Sequence, residues 1–421
     1  MKSFLLSAVI GACAFTTPAA ADTLPTIYGS VIFGHQWESM SDVPYGMYSI
    51  PADNGKAVSL MQRGNDLKAN GGGVYVDGRY YLVDFTPFNI DHTVAFRVYD
   101  ADNDWKLLSE KRIKTYSSVA SDLTYNPADD KIYGCFNDES LTDKFFFGTL
   151  NPITGFSSKI ADLDEELVAI ASTKEGKLYG ISIMGILYSI NKTTGQLTEI
   201  GKTGKNVKYA QSATFDYPSG RMYWAMTPHY TDESPEICEV NLTTGEATTL
   251  TQVPERYEFT GIFTKNSYAA DKAPTKVAAL NGNFANGSLN GNVSFSFPKT
   301  TMDGSKLSGN VSYLLQVDDE QPLTGSGVKR SLSLTRGMHT LKVAAKNSVG
   351  RGPWSYCDMW AGTDVVNVDG VTAYKSADNE VTVLWLAPEG SVHGGYYNPN
   401  DITYTVTRQP DGAKVYEGKA T

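Results

Sequence analysis

The chain has few of the residues that build disulfide frameworks. It holds four cysteines among 421 residues. Cys13 lies in the apolar N-terminal segment, and Cys135, Cys238 and Cys357 are far apart and odd in number, whereas disulfide-stapled domains show even, clustered sets. We therefore expect three buried free thiols and a fold that depends on its apolar core, which a chain of this length can build.

Histidine is also scarce, and the motifs of common enzyme classes are missing. The five histidines show no metal-ligand spacing and are His35, His92, His229, His339 and His393. No phosphate-binding glycine loop and no nucleophile elbow occurs. Asp100–Asp104 resembles the start of a calcium loop, but Trp105 stands where that loop requires glycine, so a solvated turn is the favoured interpretation. We expect no cofactor and no metal.

Long apolar runs are missing as well, because no run approaches the roughly 18 residues that a membrane-spanning helix needs. Residues 1–21 instead match a secretory signal peptide, with Lys2, the apolar stretch Phe4–Ile10 and the small residues Ala19–Ala21. An alternative is a lipoprotein signal at Ile10–Cys13, which would attach a lipid to Cys13. Both predict export across the inner membrane to the periplasm, the cell surface or the extracellular space.

Acidic residues outnumber basic residues in this chain. The chain has 36 Lys and Arg against 46 Asp and Glu, for a net charge of −10. An acidic surface repels phosphate backbones and anionic lipid headgroups. The charge therefore argues against nucleic acid as a partner.

A short phrase recurs through the first two-thirds of the chain. A basic residue, an apolar residue and a tyrosine occur together at Arg79–Leu82, Lys131–Gly134, Lys177–Gly180 and Arg221–Trp224. Three of these phrases are followed by Asn-x-x-Thr-Gly hairpins at Asn151–Gly155, Asn191–Gly195 and Asn241–Gly245. A period of roughly 40–50 residues made of short strands and turns is typical of β-propeller blades. We predict an all-β propeller over residues 22–268, in which the repeated tyrosines pack between strands.

The two ends of this region complement each other. The first repeat, from Thr26, lacks its own first strand, and Phe259–Phe263 resembles a first strand with no second strand after it. We predict that this final strand joins the N-terminal sheet and closes a ring of five blades, because closure removes two open sheet edges. Six blades is the main alternative.

The last third has a different composition, rich in Asn, Gly, Ser and Val. The stretch Val343–Ser355 resembles the last two strands of a fibronectin type III domain, a family that implies a seven-stranded β-sandwich of about 90–100 residues. Residues 269–366 fit one copy. Phe297 and His339 stand where that family usually has a core tryptophan and a corner tyrosine.

A second, partial copy is expected over residues 367–421, with Trp385 as its core tryptophan. It accounts for about four strands only, which predicts that the chain is the front part of a longer protein. The layout of a propeller followed by sandwiches resembles secreted multidomain proteins of Gram-negative bacteria. That resemblance implies that the sandwiches are spacers.

The connections between the second and third strands of each repeat share one end of the predicted ring. Four of these connections are long, at 34–44, 84–93, 136–144 and 227–236. They combine aromatic rings with carboxylates, which suits a glycan or an extracellular protein as the partner. The candidate ligand-binding residues are Trp37, Phe88, Asp91, His92, His229, Tyr230 and Asp232.

Two alternatives remain at this level. Five-bladed propellers include glycoside hydrolases, which need paired carboxylates about 5–10 Å apart, and Asp84, Asp122 and Asp216 are the carboxylates nearest to the predicted channel. The other alternative is a structural stalk that binds no ligand. We assign no catalytic residue.

Overall fold

The structure is a computed structural model that describes residues 23–32, 43–64, 71–84, 93–114, 119–137, 144–208, 211–229 and 233–419. Within these ranges the chain is all-β. Helix is limited there to single 3-10 turns at Gly55–Ala57 and Pro399–Asp401. No helix in the described ranges is long and apolar enough to cross a membrane.

Twenty strands are described between residues 23 and 268, and they are short and rich in Val, Ile, Tyr and Phe, the residues that favour a pleated, half-buried surface. They are β1 (Thr26–Val31), β2 (Gly46–Pro51), β3 (Ser59–Arg63), β4 (Gly73–Val76), β5 (Arg79–Asp84), β6 (Val94–Asp100), β7 (Lys106–Ile113), β8 (Ala120–Asn126), β9 (Lys131–Asn137), β10 (Phe145–Leu150), β11 (Ser157–Leu163), β12 (Leu167–Ser172), β13 (Leu178–Ser182), β14 (Ile186–Ile190), β15 (Leu197–Lys202), β16 (Ser212–Asp216), β17 (Arg221–Met226), β18 (Glu236–Val240), β19 (Ala247–Gln252) and β20 (Phe259–Phe263).

These strands form five four-stranded antiparallel sheets. Four sheets use consecutive strands, β4–β7, β8–β11, β12–β15 and β16–β19. The remaining sheet has the order β20-β1-β2-β3, with Tyr28 opposite Phe263 and Val31 opposite Phe259. The missing first strand of the N-terminal repeat predicted this pairing, which covers an edge of β1 that would otherwise expose unpaired backbone groups.

The first strands of the sheets contact one another in cyclic order: β4 with β8, β8 with β12, β12 with β16, β16 with β20, and β20 with β4. The last of these contacts requires a glycine. Gly261 has a φ of 54°, and a Cβ there would lie 2.2 Å from the Tyr80 hydroxyl oxygen and 2.8 Å from the Cα of Gly73. The Tyr80 hydroxyl donates to the Gly261 carbonyl at 2.9 Å, so the close approach is also hydrogen-bonded.

The apolar core lies between neighbouring sheets. Phe96 of β6 and Phe136 of β9 belong to one buried cluster, and Trp224 of β17 belongs to another. The repeated tyrosines have the packing role expected of them, because Tyr133 lies flat on Phe147 with ring centroids 5.5 Å apart. Of the three cysteines in the described ranges, Cys135 and Cys238 are buried as expected, whereas Cys357 is only half-buried, and all are free.

The Asn-x-x-Thr-Gly hairpins form because asparagine closes the turn with its own side chain. The Asn191 Oδ1 accepts the N–H groups of Thr193 and Thr194 at 3.0 and 3.1 Å. Gly195 then adopts a φ of 71°, which favours glycine. Asn151 and Asn241 make the same contacts in their sheets, so the sequence repeat is a repeat of turn chemistry.

Seven strands follow and pack as two sheets, which we call the first sandwich. They are β21 (Ala278–Asn283), β22 (Asn290–Ser296), β23 (Ser312–Val317), β24 (Leu323–Gly325), β25 (Lys329–Ser333), β26 (Gly337–Lys346) and β27 (Ser355–Ala361). The sheet orders are β21-β22-β25 and β24-β23-β26-β27. Val293, Tyr313 and Leu341 meet between the sheets. His339 is buried at a corner, between Asp318 and the carbonyl of Thr335.

The last four strands form two hairpins, β28 (Asp369–Ala377) with β29 (Glu380–Leu386) and β30 (Tyr404–Thr407) with β31 (Lys414–Gly418). Trp385 joins the hairpins, because its ring lies 5.5 Å from that of Tyr404 and 5.7 Å from that of Tyr416. The sequence assigned this core position to Trp385.

Candidate functional site

The alternating direction of the strands gives the five-sheet ring two faces. The connections 77–78, 101–105, 127–130, 151–156, 191–196, 217–220 and 241–246 are short turns at one end, which we call the turn face. The connections between the second and third strands of each sheet leave from the other end, which we call the loop face. The sequence predicted a binding surface on the loop face.

Most of the predicted binding residues cannot be placed. Trp37, Phe88, Asp91, His92, Tyr230 and Asp232 lie outside the described residues. His229 is described and exposed on the loop face. Its backbone N–H donates to the carbonyl of Asn206 at 3.1 Å, next to a bridge between Val207 and Pro228. The role of all seven residues therefore stays a prediction.

Beside His229, the loop face contains buried polar atoms that the sequence did not reveal. The Gln211 amide nitrogen donates to the carbonyls of Lys208 and Thr227 at 2.6 and 3.0 Å. The Lys208 ammonium lies 3.2 Å from a carboxylate oxygen of Glu258. These contacts hold Lys208, Gln211, Thr227 and Glu258 together, where β17 ends and β20 begins.

Three oxygens of this group have no hydrogen-bond partner among the described residues. They are Oε1 of Gln211, Oγ1 of Thr227 and Oε2 of Glu258, and each is buried. A buried polar atom without a partner costs about 1–3 kcal/mol. We call these three atoms the acceptor cluster. No local sequence signal marks them, because Gln, Thr and Glu are ordinary residues in loops.

At the centre of the ring, Asp122 ties neighbouring inner strands together. Its carboxylate accepts the N–H groups of Ile170 at 2.9 Å and Ala213 at 3.1 Å, and the Ser212 hydroxyl at 2.8 Å. The Ile262 N–H donates to the same Ser212 oxygen at 3.0 Å. The bonds satisfy edge groups of β12, β16 and β20. Burial raises the pKa of Asp122 to about 8, although the hydrogen bonds that it accepts oppose this shift.

Asp84 and Asp216, the other two carboxylates near the predicted channel, also have partners within the protein. Asp84 is fully buried and forms a 2.9 Å ion pair with Arg97. Asp216 accepts the Asn266 side-chain amide at 2.6 Å and the Ser219 backbone N–H at 3.2 Å. Each of the three carboxylates proposed for hydrolysis thus has structural partners. The described residues also contain no group of three or more His, Cys, Asp or Glu arranged to hold a metal ion.

The first sandwich packs on the turn face. The backbone N–H of Trp354 donates to Asp77 at 2.8 Å, and its indole N–H donates to Asp130 at 2.8 Å. Asp77 and Asp130 are turn residues with φ values of 50° and 57°. The Lys342 ammonium lies 2.7 Å from Asp130. The Arg351 guanidinium stacks 4.5 Å from the centre of the Trp354 ring.

The charges at this junction affect its two aspartates differently. Burial raises the pKa of Asp77, and Arg351 only partly offsets that effect. Burial also acts on Asp130, but Lys342 and Arg351 outweigh it and hold the pKa of Asp130 below its usual value. A second ion pair joins Arg79 to Asp358 at 2.6 Å. The first sandwich therefore covers the turn face around Asp77, Arg79 and Asp130.

No family model matches the chain, and no curated protein matches it. Several solved structures align with parts of the chain. TolB from Acinetobacter baumannii aligns over 67% of this chain and 62% of its own, at 11% identity and a TM-score of 0.35. A human fibronectin type-III domain aligns over 23% of this chain and 94% of its own, at 18% identity and a TM-score of 0.20.

Domains d3-d4 of the rat CD45 extracellular region align over 24% of this chain, at 18% identity and a TM-score of 0.19. The chain spans 54% of the rat structure and 62% of TolB, less than two-thirds of either.

Proposed function

We propose that this chain is an exported binding protein that recognises a glycan or an extracellular protein through the loop face of a five-bladed β-propeller. In this proposal residues 1–21 are a signal peptide and residues 22–268 are the propeller, closed by β20. Residues 269–366 and 367–421 are a complete and a partial fibronectin type III sandwich. The sandwiches hold the propeller away from whatever anchors the chain.

The docking of the first sandwich supports the choice of face. Arg79, Asp77 and Asp130 on the turn face are engaged with the sandwich. A partner that approached this end of the ring would meet the sandwich first. The connections that are long in sequence leave the five sheets at the loop face, and long loops on a rigid scaffold are where binding residues usually lie.

The observation that carries the proposal is the acceptor cluster. The oxygens of Gln211, Thr227 and Glu258 are buried and lack partners among the described residues. Two of them only accept hydrogen bonds, and the third can do so. Sugar hydroxyls and peptide N–H groups donate hydrogen bonds, so either ligand class satisfies the cluster and recovers part of its cost.

The test is a glycan array and a peptide array probed with the mature chain from residue 22. We expect a hit whose affinity falls about tenfold in Thr227→Val, because one hydrogen bond of about 1.4 kcal/mol is lost. Thr193→Val is the matched control, since Thr193 is exposed on the turn face, and it leaves affinity unchanged. No binding on either array, or an equal loss of affinity in the two variants, overturns the proposal. Either result favours the alternative of a structural stalk that binds no ligand.

A further inference from the structure

A cavity of about 330 Å³ lies where the ring of inner strands meets the first sandwich. Its walls come from β4, β8, β16 and β20, from the segment after β20, and from Thr275, Lys276, Met302 and Pro353 on the sandwich side. Lys276 is exposed, so the lining reaches the protein surface there. The cavity belongs to the turn-face end of the ring and is separate from the acceptor cluster on the loop face.

Threonines contribute to this lining. Thr124 of β8, Thr214 of β16 and Thr264, which follows β20, line the cavity. Thr214 is half-buried, whereas the Thr264 Oγ1 is buried behind the wall and has no hydrogen-bond partner among the described residues. A half-buried threonine from an inner strand therefore lies at the cavity wall.

Aromatic rings form another part of the wall, beside aliphatic side chains such as Val74, Leu123 and Ile262. Tyr75, Tyr217 and Phe263 line the cavity, and the rings of Tyr75 and Phe263 are stacked with centroids 4.8 Å apart. Aromatic rings offer flat apolar contact, and a tyrosine or threonine hydroxyl both donates and accepts hydrogen bonds. The lining thus combines flat apolar surfaces with neutral hydroxyl groups.

The charged groups of the lining are already occupied by the protein. Lys276 donates to the Asp77 carbonyl at 2.8 Å and to Asp102 at 3.1 Å. Lys265 donates to the Ala101 carbonyl at 3.1 Å. The Asp77 carboxylate accepts the Trp354 N–H at 2.8 Å. Because these charges have partners, an ion entering the cavity would compete with bonds that exist, whereas a neutral ligand would not.

We propose that this cavity binds a neutral polyhydroxyl molecule of monosaccharide size. Its volume is at the lower end of the roughly 300–1,000 Å³ range of small-molecule sites. A sugar ring places its apolar face against Tyr75 or Tyr217 and its hydroxyls against the threonines. The sandwich supplies part of the wall, so the bound sugar bridges the two domains and stabilises their docked arrangement.

The test is a panel of glucose, galactose, mannose, N-acetylglucosamine, inositol and glycerol, added to the mature chain from residue 22. Ligand-observed NMR detects binding, and calorimetry gives the affinity. We expect at least one ring compound to bind and to raise the melting temperature, since a ligand that binds only the folded state stabilises it. Thr214→Val weakens that binding about tenfold through the loss of one hydrogen bond.

Thr227→Val is the control, because it makes the same change at the loop face, outside the cavity, and leaves the cavity ligand unaffected. The pair of variants separates this proposal from the proposed function: a loop-face ligand is sensitive to Thr227→Val and insensitive to Thr214→Val. Absence of binding across the panel, or a sugar whose affinity is unchanged in Thr214→Val, overturns the cavity proposal. In that case ordered water is what fills the space.

Discussion

The indole N–H of Trp354 donates to the Asp130 carboxylate at 2.8 Å, across 224 residues of chain. Trp354 is 1% exposed, and the Lys342 ammonium lies 4.7 Å from the centre of its ring. This side chain of the first sandwich is therefore buried in the junction with the turn face. The hydrogen bond and the Lys342 ammonium above the ring are two of the contacts that hold the first sandwich against the turn face.

The first prediction concerns this junction. Trp354→Phe lowers the free energy of unfolding by about 1–2 kcal/mol, because it removes the hydrogen bond to Asp130 and part of the ring. The measurement is urea denaturation of the mature chain. Trp360→Phe is the control, since the Trp360 indole donates to Thr363 in an exposed position, and it costs less. Equal costs in the two variants would contradict a specific role for Trp354.

The second prediction concerns the pH dependence of Asp122. Its pKa is raised to about 8 in the folded protein, whereas an unfolded aspartate titrates near 3.9. A raised pKa means that the folded state holds the proton more tightly. The stability that this group contributes is complete below about pH 4 and is lost as the pH rises through about 8.

Asp122→Asn provides the measurement. An amide oxygen accepts the N–H groups of Ile170 and Ala213 and does not titrate. We expect urea denaturation between pH 4 and 8 to show a decline in the unfolding free energy of the original chain that is smaller in the variant. The same decline in both proteins would show that Asp122 does not cause it.

The third prediction concerns the contact between β20 and β4. Gly261→Ala is strongly destabilising, because its Cβ would clash with the Tyr80 hydroxyl at 2.2 Å and with Gly73. Gly220→Ala is the control, since Gly220 also has a positive φ, of 68°, but no atom lies within 4 Å of a Cβ there. It costs about 1–2 kcal/mol of backbone strain alone. Thermal unfolding measures both, and similar costs would show that the close approach is not needed.

The fourth prediction separates an unpaired hydroxyl from a paired one. Thr264→Val raises the unfolding free energy of the ligand-free chain by about 1 kcal/mol, because the Thr264 hydroxyl is buried without a partner. Thr203→Val lowers it by about the same amount, since the Thr203 hydroxyl is buried and donates to the Gly185 carbonyl at 2.8 Å. Denaturation without sugar is the measurement, and a loss of stability in Thr264→Val would contradict the prediction.

Local chemistry explains which features were predictable. The Asn191–Gly195 hairpin and its two equivalents could be identified because a turn of this kind depends on residues within five positions of one another. The pairing of Phe259–Phe263 with β1 was predictable because the N-terminal repeat lacks one strand. The packing role of Tyr133 followed from its recurrence at the same point of each repeat.

The candidate site was less accessible to prediction. His229 is the one predicted binding residue among the described ranges. It lies in the connection between β17 and β18, and its role in binding stays a prediction. Gln211, Thr227 and Glu258 escaped notice, because hydrogen-bond satisfaction depends on neighbours up to about 50 residues away in the chain. The same holds for Thr264, whose Oγ1 is buried without a hydrogen-bond partner among the described residues.

The sequence by itself determined the all-β architecture, the period of the repeats, their turns and the pairing of the last strand with the first sheet, since each depends on short-range periodicity or on a count of strands. Only the tertiary structure decided that Trp354 and Arg351 dock on the turn face, that Asp122 and Ser212 together satisfy the inner edges of three sheets, and that a cavity remains between ring and sandwich. Those features arise where residues from distant segments meet, and no local pattern encodes which buried polar atom finds a partner.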